Sequence, residues 1–278
     1  MKKRVLLTGA TGFVGQQIFA ALLKADVQLR LIVRSGSASR LPKANEAEIV
    51  YTADLFKESA EWWTVACQSV DTVVHAAWYA EPGVYMQSPK NLDCLAGTLQ
   101  LATGCMQAKV RRFIGIGSCS EYDMSAGHLS VDTPLRPTTP YAGAKAATFL
   151  SLSTLLPRQG MGFVWARLFY LYGQGEDPRR LVPFLHARLA AGEPADLSGG
   201  TQIRDYLDVA VAGAQIADLA LGQMSGAINI CSGQAQTVRE LAEKIADEYG
   251  RRDLLRFGAR ADNLFDPPCV VGIRSQAC

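Results

Sequence analysis

The stretch VLLTGATGFVGQQIFAALL, residues 5–23, runs an apolar strand into three glycines and then into an apolar-rich helix. Gly9, Gly12 and Gly15 stand three residues apart at that junction. Glycine permits the tight turn and lets backbone N–H groups approach a pyrophosphate, and the helix N-terminus adds a favourable dipole. A lone glycine triplet also fits an ordinary strand–helix turn. Its placement after the first strand and before a helix points to a dinucleotide site made by Gly9, Thr11, Gly12, Phe13, Val14 and Gly15.

Outward from this turn, strand and helix patterns alternate. Apolar strands read at residues 4–7, 29–33, 49–52, 72–75 and 113–117, and helices at 15–24, 59–67, 91–108 and 141–156. That order predicts an α/β fold, a doubly wound parallel (Rossmann) sheet with right-handed crossovers. After about Phe163 the rhythm changes. The expected division is residues 1–165 as a dinucleotide-binding domain and 166–278 as a small substrate-binding lobe interleaved with the end of the sheet. The segment TVRELAEKIADEYG carries Val238, Leu241, Ile245 and Tyr249 at helical spacing, and Thr237 with Glu240 forms a capping box. The final DNLFDPPCVVGIRSQAC reads as irregular, since Pro267 and Pro268 exclude a helix.

Composition narrows the function classes. Hydrophobic residues are 49% and charged residues 19% of 278, with net charge +2, so neither nucleic acid nor a membrane surface is an expected partner. The apolar runs are strand length, and no signal peptide is expected because the start leads directly into a strand. Seven cysteines without a CxxC pair and three scattered histidines predict reduced thiols, no metal site and a cytoplasmic location.

The second strand ends in Arg34, where an acidic residue would grip the ribose 2′-OH of NAD. A guanidinium there suits a 2′-phosphate, so NADP(H) is favoured and NAD(H) remains possible. Asp54, followed by Leu55, is read as an acceptor for the adenine amino group or as a helix N-cap. Tyr141 and Lys145 share one helix face, and an ammonium beside a phenol is expected to lower the phenol pKa. Ser118 stands at the end of a strand, where open α/β sheets bind ligands.

TGATGFVG, a Ser before an EYD segment, and YxxxK together resemble the extended short-chain dehydrogenase/reductase family, the group acting on nucleotide sugars. RLFYLYGQGEDP is similar to that family's R-x-x-N-x-YG segment, and GGTQIRDYLDV to its R-D-(Y/F)-x-x-V segment. The resemblance implies a catalytic triad of Ser118, Tyr141 and Lys145, with His75, Ala76 and Ala77 beside the cofactor. It further implies substrate contacts from Ser118, Cys119, Ser120, Tyr170, Arg180 and, above all, Arg204. A homodimer through 91–108 and 141–156 would fit the family.

Departures from the family pattern prune the reactions. Sugar-nucleotide 4,6-dehydratases of the family place an Asp-Glu pair directly after the catalytic hydroxyl residue, and here those positions are Cys119 and Ser120. Epimerase-reductases of the GDP-fucose-synthase type use a Cys two residues after the Ser, and here that position is Ser120. The family Asn of R-x-x-N is Tyr170, and the Asn of N-x-x-G-T is Cys94. His75 is read chiefly as a packed residue, and Trp78, Tyr79 and Tyr85 as walls of a sugar pocket or as core. What survives is ketone–alcohol chemistry at C4 of a nucleotide-linked 4-keto-6-deoxy sugar. An NAD-dependent C4 epimerase and a non-catalytic dinucleotide sensor or scaffold stay open as alternatives.

Overall fold

The computed structural model of the chain describes residues 2–41, 47–263 and 266–275. Its centre is a seven-stranded sheet, every neighbouring pair parallel. The strands are β1 (Lys3–Thr8), β2 (Val27–Arg34), β3 (Ala47–Thr52), β4 (Thr72–His75), β5 (Arg112–Ser118), β6 (Gly162–Leu168) and β7 (Gly226–Ile230). Their spatial order is β7-β6-β5-β4-β1-β2-β3. From β1 the chain winds first toward β3, then crosses back to β4. The loops after β1 and β4 therefore diverge, and a crevice opens at the carboxyl ends of those strands.

The near-continuous apolar runs of β1, β4 and β5 follow from burial on both sheet faces. One face packs on α1 (Phe13–Leu23) and α6 (Val209–Leu221), where Ile18, Phe19, Leu22, Ala212 and Ile216 join Val5, Leu7 and Leu31. The other face carries α2 (Ala60–Ala66), α3 (Lys90–Gln107) and α4 (Pro140–Leu155), with Trp63, Leu101, Phe113, Phe163 and Trp165 between them. Helix α3 approaches closely because Gly104 faces Trp63 Cβ, 2.4 Å from where its own Cβ would sit.

The expected boundary at 165/166 falls inside β6, and α6 and β7 later return the chain to the large sheet. The remaining second half builds a smaller lobe. Helices α5 (Leu181–Ala190) and α7 (Val238–Tyr249) enclose Leu185, Leu189, Leu241 and Ile245. The capping box of α7 forms as read: Thr237 Oγ1 accepts from Glu240 N at 3.0 Å, and Thr237 N donates to the Glu240 carboxylate at 2.8 Å. The tail is less irregular than the two prolines suggest. Just after them, Cys269–Gly272 forms a strand, parallel to Ile203–Arg204 on one side and to His128–Leu129 on the other.

Candidate active site

The glycine turn gives each glycine a different task. Gly9 has φ +76°, and a Cβ there would stand 2.6 Å from Ala77 N, so it allows both the left-handed turn and the close approach of the loop after β4. A Cβ on Gly15 would stand 1.9 Å from Gly9 O, so Gly15 lets α1 start against the turn. At Gly12 the nearest atom to such a Cβ is Gly9 O at 3.4 Å, and Gly12 lines the open crevice. Gly12 is also the N-cap of α1, with no capping side chain and no acid in the first turn. The helix's first N–H groups and its positive dipole end are left for an anion.

A cavity of about 650 Å³ extends from this turn toward the ends of β2 and β3. Thr11, Phe13, Arg34, Asp54, Leu55, Ala76 and Ala77 line it. The Arg34 side chain has no hydrogen bond or ion pair among the described residues. Asp54 is not a helix N-cap: its Oδ1 accepts from Phe56 N at 3.1 Å in a local turn, and Ser59 caps α2 instead. An open glycine cradle, a bare helix N-terminus and a free cation at the far end fit a dinucleotide.

His75 is turned away from this cavity. Thr98 donates its hydroxyl proton to Cys94 O at 2.7 Å and so accepts from His75 Nε2–H at 2.9 Å. His75 Nδ1 then accepts from Thr8 Oγ1, 2.9 Å away, while Ala77 N donates to that same Thr8 oxygen. Burial pushes the imidazole down to about 3, with the Lys145 charge adding to it. The side chain therefore fixes the Ala76–Ala77 backbone from behind instead of touching a ligand.

A second cavity, about 360 Å³, continues past Gly12 to the end of β5. Val14, Gly15, Ser118, Cys119, Ser120, Tyr141, Lys145, Tyr170 and Arg180 all line it. Ser118 is positioned by Glu121, a fully buried residue for which the sequence reading assigns no role. The Glu121 carboxylate accepts from Ser118 N at 2.7 Å, Trp165 Nε1 at 3.0 Å and Arg167 Nε at 2.8 Å. The Ser-x-x-Glu spacing of a capping box at 118–121 is the signal that reveals it. Ser118 Oγ also lies 2.8 Å from Ser120 Oγ.

Tyr141 and Lys145 open and follow the first turn of α4, whose N-cap Thr139 accepts from Ala142 N. Their electrostatics differ from the sequence expectation. Burial pushes the Tyr141 phenol well above its usual range, Tyr85 adds to this, and a hydrogen bond with Ser118 opposes it. Burial also pushes the Lys145 ammonium down to about 7, against the pull of Glu121. Lys145 does not lower the phenol in this state because its Nζ donates to Ile116 O at 2.6 Å and stands 5.9 Å from the Tyr141 ring centre.

The cations also sort differently. Arg180 lines the cleft with no side-chain hydrogen bond or ion pair among the described residues, its charge lying near the Glu176 and Asp177 carboxyls, whereas Arg179 is held by Asp177 and Glu81. Arg204 is not brought into the cleft lining. It is buried, paired with Asp266 at 2.6 Å and set over the Tyr170 ring at 5.2 Å. The Cys119 thiol is pushed up to about 12, chiefly by burial, which makes it a poor nucleophile. Among the described residues no group of three or more His, Cys, Asp or Glu could hold a metal, and no helix is long and apolar enough to cross a membrane.

Residues 5–231 match the model of the NAD dependent epimerase/dehydratase family, and the chain is an enzyme of that family. The dTDP-6-deoxy-L-talose 4-dehydrogenase (NAD(+)) of Aggregatibacter actinomycetemcomitans is 23% identical over 97% of this chain and 99% of its own. A dTDP-6-deoxy-L-talose 4-dehydrogenase (NAD(P)(+)) of Kitasatospora kifunensis is 26% identical over 89% of this chain and 79% of its own. The fold is shared with the UDP-N-acetylglucosamine 4-epimerase of Methanobrevibacter ruminantium M1, solved with UDP-N-acetylmuramic acid, at a TM-score of 0.86 and 24% identity over 99% of this chain and 91% of that one.

Proposed function

We propose that the chain is an NADP(H)-preferring reductase of a nucleotide-linked 4-keto-6-deoxy sugar. The observation that carries this reading is the meeting of Ser118, Tyr141 and Lys145 in one cavity with the glycine turn, while Cys119 and Ser120 hold no carboxylate. Two similar enzymes named as acting at position 4 of a dTDP-6-deoxy sugar support the substrate class. Gly9, Thr11, Gly12 and the start of α1 would hold the pyrophosphate, Arg34 the 2′-phosphate, and Asp54 with Leu55 the adenine end. A bound reduced nicotinamide supplies the hydride.

The residues of this chain handle the proton. Burial keeps the Tyr141 phenol protonated, the form needed to donate to the oxygen of a ketone being reduced. Ser118 donates a second hydrogen bond to that oxygen. Lys145 holds its place against the end of β5 and keeps a donor for a ribose. Arg180, which lines the cleft without an ion pair, is the cation for the sugar diphosphate. The exposed Leu92, Leu150 and Leu155 on α3 and α4 support a homodimer through those helices.

The test is a panel of 4-keto nucleotide sugars assayed with NADPH and with NADH, the product C4 configuration being read by NMR. Tyr141→Phe is expected to lower turnover by about 10²–10⁴-fold while cofactor binding persists. Wild-type protein that reduces none of them, with Tyr141→Phe behaving identically, overturns the reading. Protein that interconverts C4 epimers without added cofactor favours the epimerase instead.

A further inference from the structure

The surroundings of Tyr141 and Lys145 contain a chain of contacts that the proton-transfer scheme does not use. The face of the Trp78 ring lies 3.7 Å from Lys145 Nζ. Trp78 Nε1–H donates to Asn91 Oδ1 at 2.8 Å. The Asn91 amide in turn donates to the carbonyls of Tyr85 at 2.7 Å and Ser88 at 2.9 Å. Tyr85 meets the Tyr141 ring edge to face at 4.9 Å and 89°. Asn91 itself is fully buried. One side-chain amide thus ties the aromatic on Lys145 to the aromatic on Tyr141.

An ammonium has three donors. Lys145 spends one on Ile116 O, and its burial removes the water that would satisfy the rest. An aromatic face is a weak acceptor that substitutes for that hydration and gains strength when desolvated. The titratable groups facing Lys145 are Glu121 after β5, Cys94 on α3, His75 on β4 and Tyr141 on α4 itself. None of them makes a hydrogen bond to Nζ, so its nearest partners are the Ile116 carbonyl and the Trp78 ring at 3.7 Å, with the Trp165 ring farther off at 5.8 Å. Trp78 is not simply core, because it lines both cavities.

We propose that Trp78 is a positioning residue for Lys145, and that Asn91 holds Trp78 and Tyr85 as a two-sided clamp on the Tyr141–Lys145 pair. The clamp sets the Lys145 ammonium with one donor on the strand end, one on the indole face and one directed to the cleft. The proposal rests on the reading of Tyr141 and Lys145 as the proton-transfer pair, but its test does not need turnover.

The experiment is competitive acetylation of the ligand-free protein with trace acetic anhydride from pH 5 to 10, with Lys145 followed by peptide mass spectrometry. Removing the ring face in Trp78→Leu favours the neutral amine, and the midpoint of Lys145 labelling is expected to fall by about one pH unit, a tenfold change. Trp78→Phe keeps a ring face but loses the tether to Asn91, and is expected to give a smaller fall in the same direction. In turnover assays both variants should lose kcat, and because Trp78 also lines the cleft the labelling midpoint is the deciding readout. An unchanged labelling midpoint in Trp78→Leu, or in Trp78→Phe if the leucine variant does not fold, overturns the proposal. A shifted midpoint in a protein that reduces no keto-sugar would instead leave the clamp standing and refute the reductase reading.

Discussion

The three glycines of the opening turn should separate folding from binding when each is replaced by alanine. At Gly15 the new Cβ stands 1.9 Å from Gly9 O, and at Gly9 it stands 2.6 Å from Ala77 N with φ at +76°. Both substitutions force backbone to move, and overpacking of this kind costs about 1–3 kcal/mol, with left-handed strain added at Gly9. At Gly12 the nearest atom is 3.4 Å away, φ is −91°, and the residue is an N-cap without a capping side chain. Gly12→Ala should therefore cost stability only about 0.5–1 kcal/mol. Its methyl group enters the space where a pyrophosphate would lie against the α1 N-terminus. The same 1–3 kcal/mol then falls on binding, a loss of about 5- to 150-fold in dinucleotide affinity. Urea unfolding gives the stabilities and isothermal calorimetry with NADPH and NADH gives the affinities. If Gly12→Ala binds as tightly as the wild type, the cradle is not the pyrophosphate site. If Gly15→Ala is as stable as Gly12→Ala, the steric reasoning is wrong.

The other perturbations test neighbouring links. Glu121→Gln replaces one of the two oxygens that accept from Ser118 N, Trp165 Nε1 and Arg167 Nε with an N–H₂ donor, and leaves Arg167 buried without its ion pair. A stability loss of about 3–5 kcal/mol is expected in denaturant melts, and a loss below about 1 kcal/mol would refute it. His75, pushed down to about 3, stays neutral in the folded protein while the unfolded chain binds a proton below its ordinary value near 6.5. Stability should fall as pH drops from 6.5 toward 3, by up to about 1.4 kcal/mol per unit from this group, and His75→Leu should flatten that limb despite being less stable at pH 7. An equally steep limb in the variant would contradict the assignment. Arg34→Ala should weaken NADPH by about 10- to 100-fold and leave NADH nearly unchanged, measured as separate Kd values. Equal losses for both would remove the 2′-phosphate role.

The sequence alone determined the alternation of strands and helices, because each segment's apolar pattern states which faces it buries. The glycine turn at residues 9–15, the capping box at Thr237 and the pairing of Tyr141 with Lys145 on one helix face are local features, written within a few residues. What only the tertiary structure decided are quantities set by distant neighbours. Whether Lys145 lowers the Tyr141 phenol depends on burial and on Ile116 O, which draws the ammonium away. Whether Arg204 reaches the cleft depends on what packs around it, and it is buried and paired with Asp266, 62 positions away in the chain. Beyond the local Ser-x-x-Glu spacing, the roles of Glu121 and Asn91 depend on partners brought together in space: Trp165 and Arg167 donate to the Glu121 carboxylate, and Asn91 accepts from Trp78 while donating to the Tyr85 and Ser88 carbonyls. Charge and hydrogen bonding at a site are set by what surrounds it in space, and that is the part no single stretch of chain encodes.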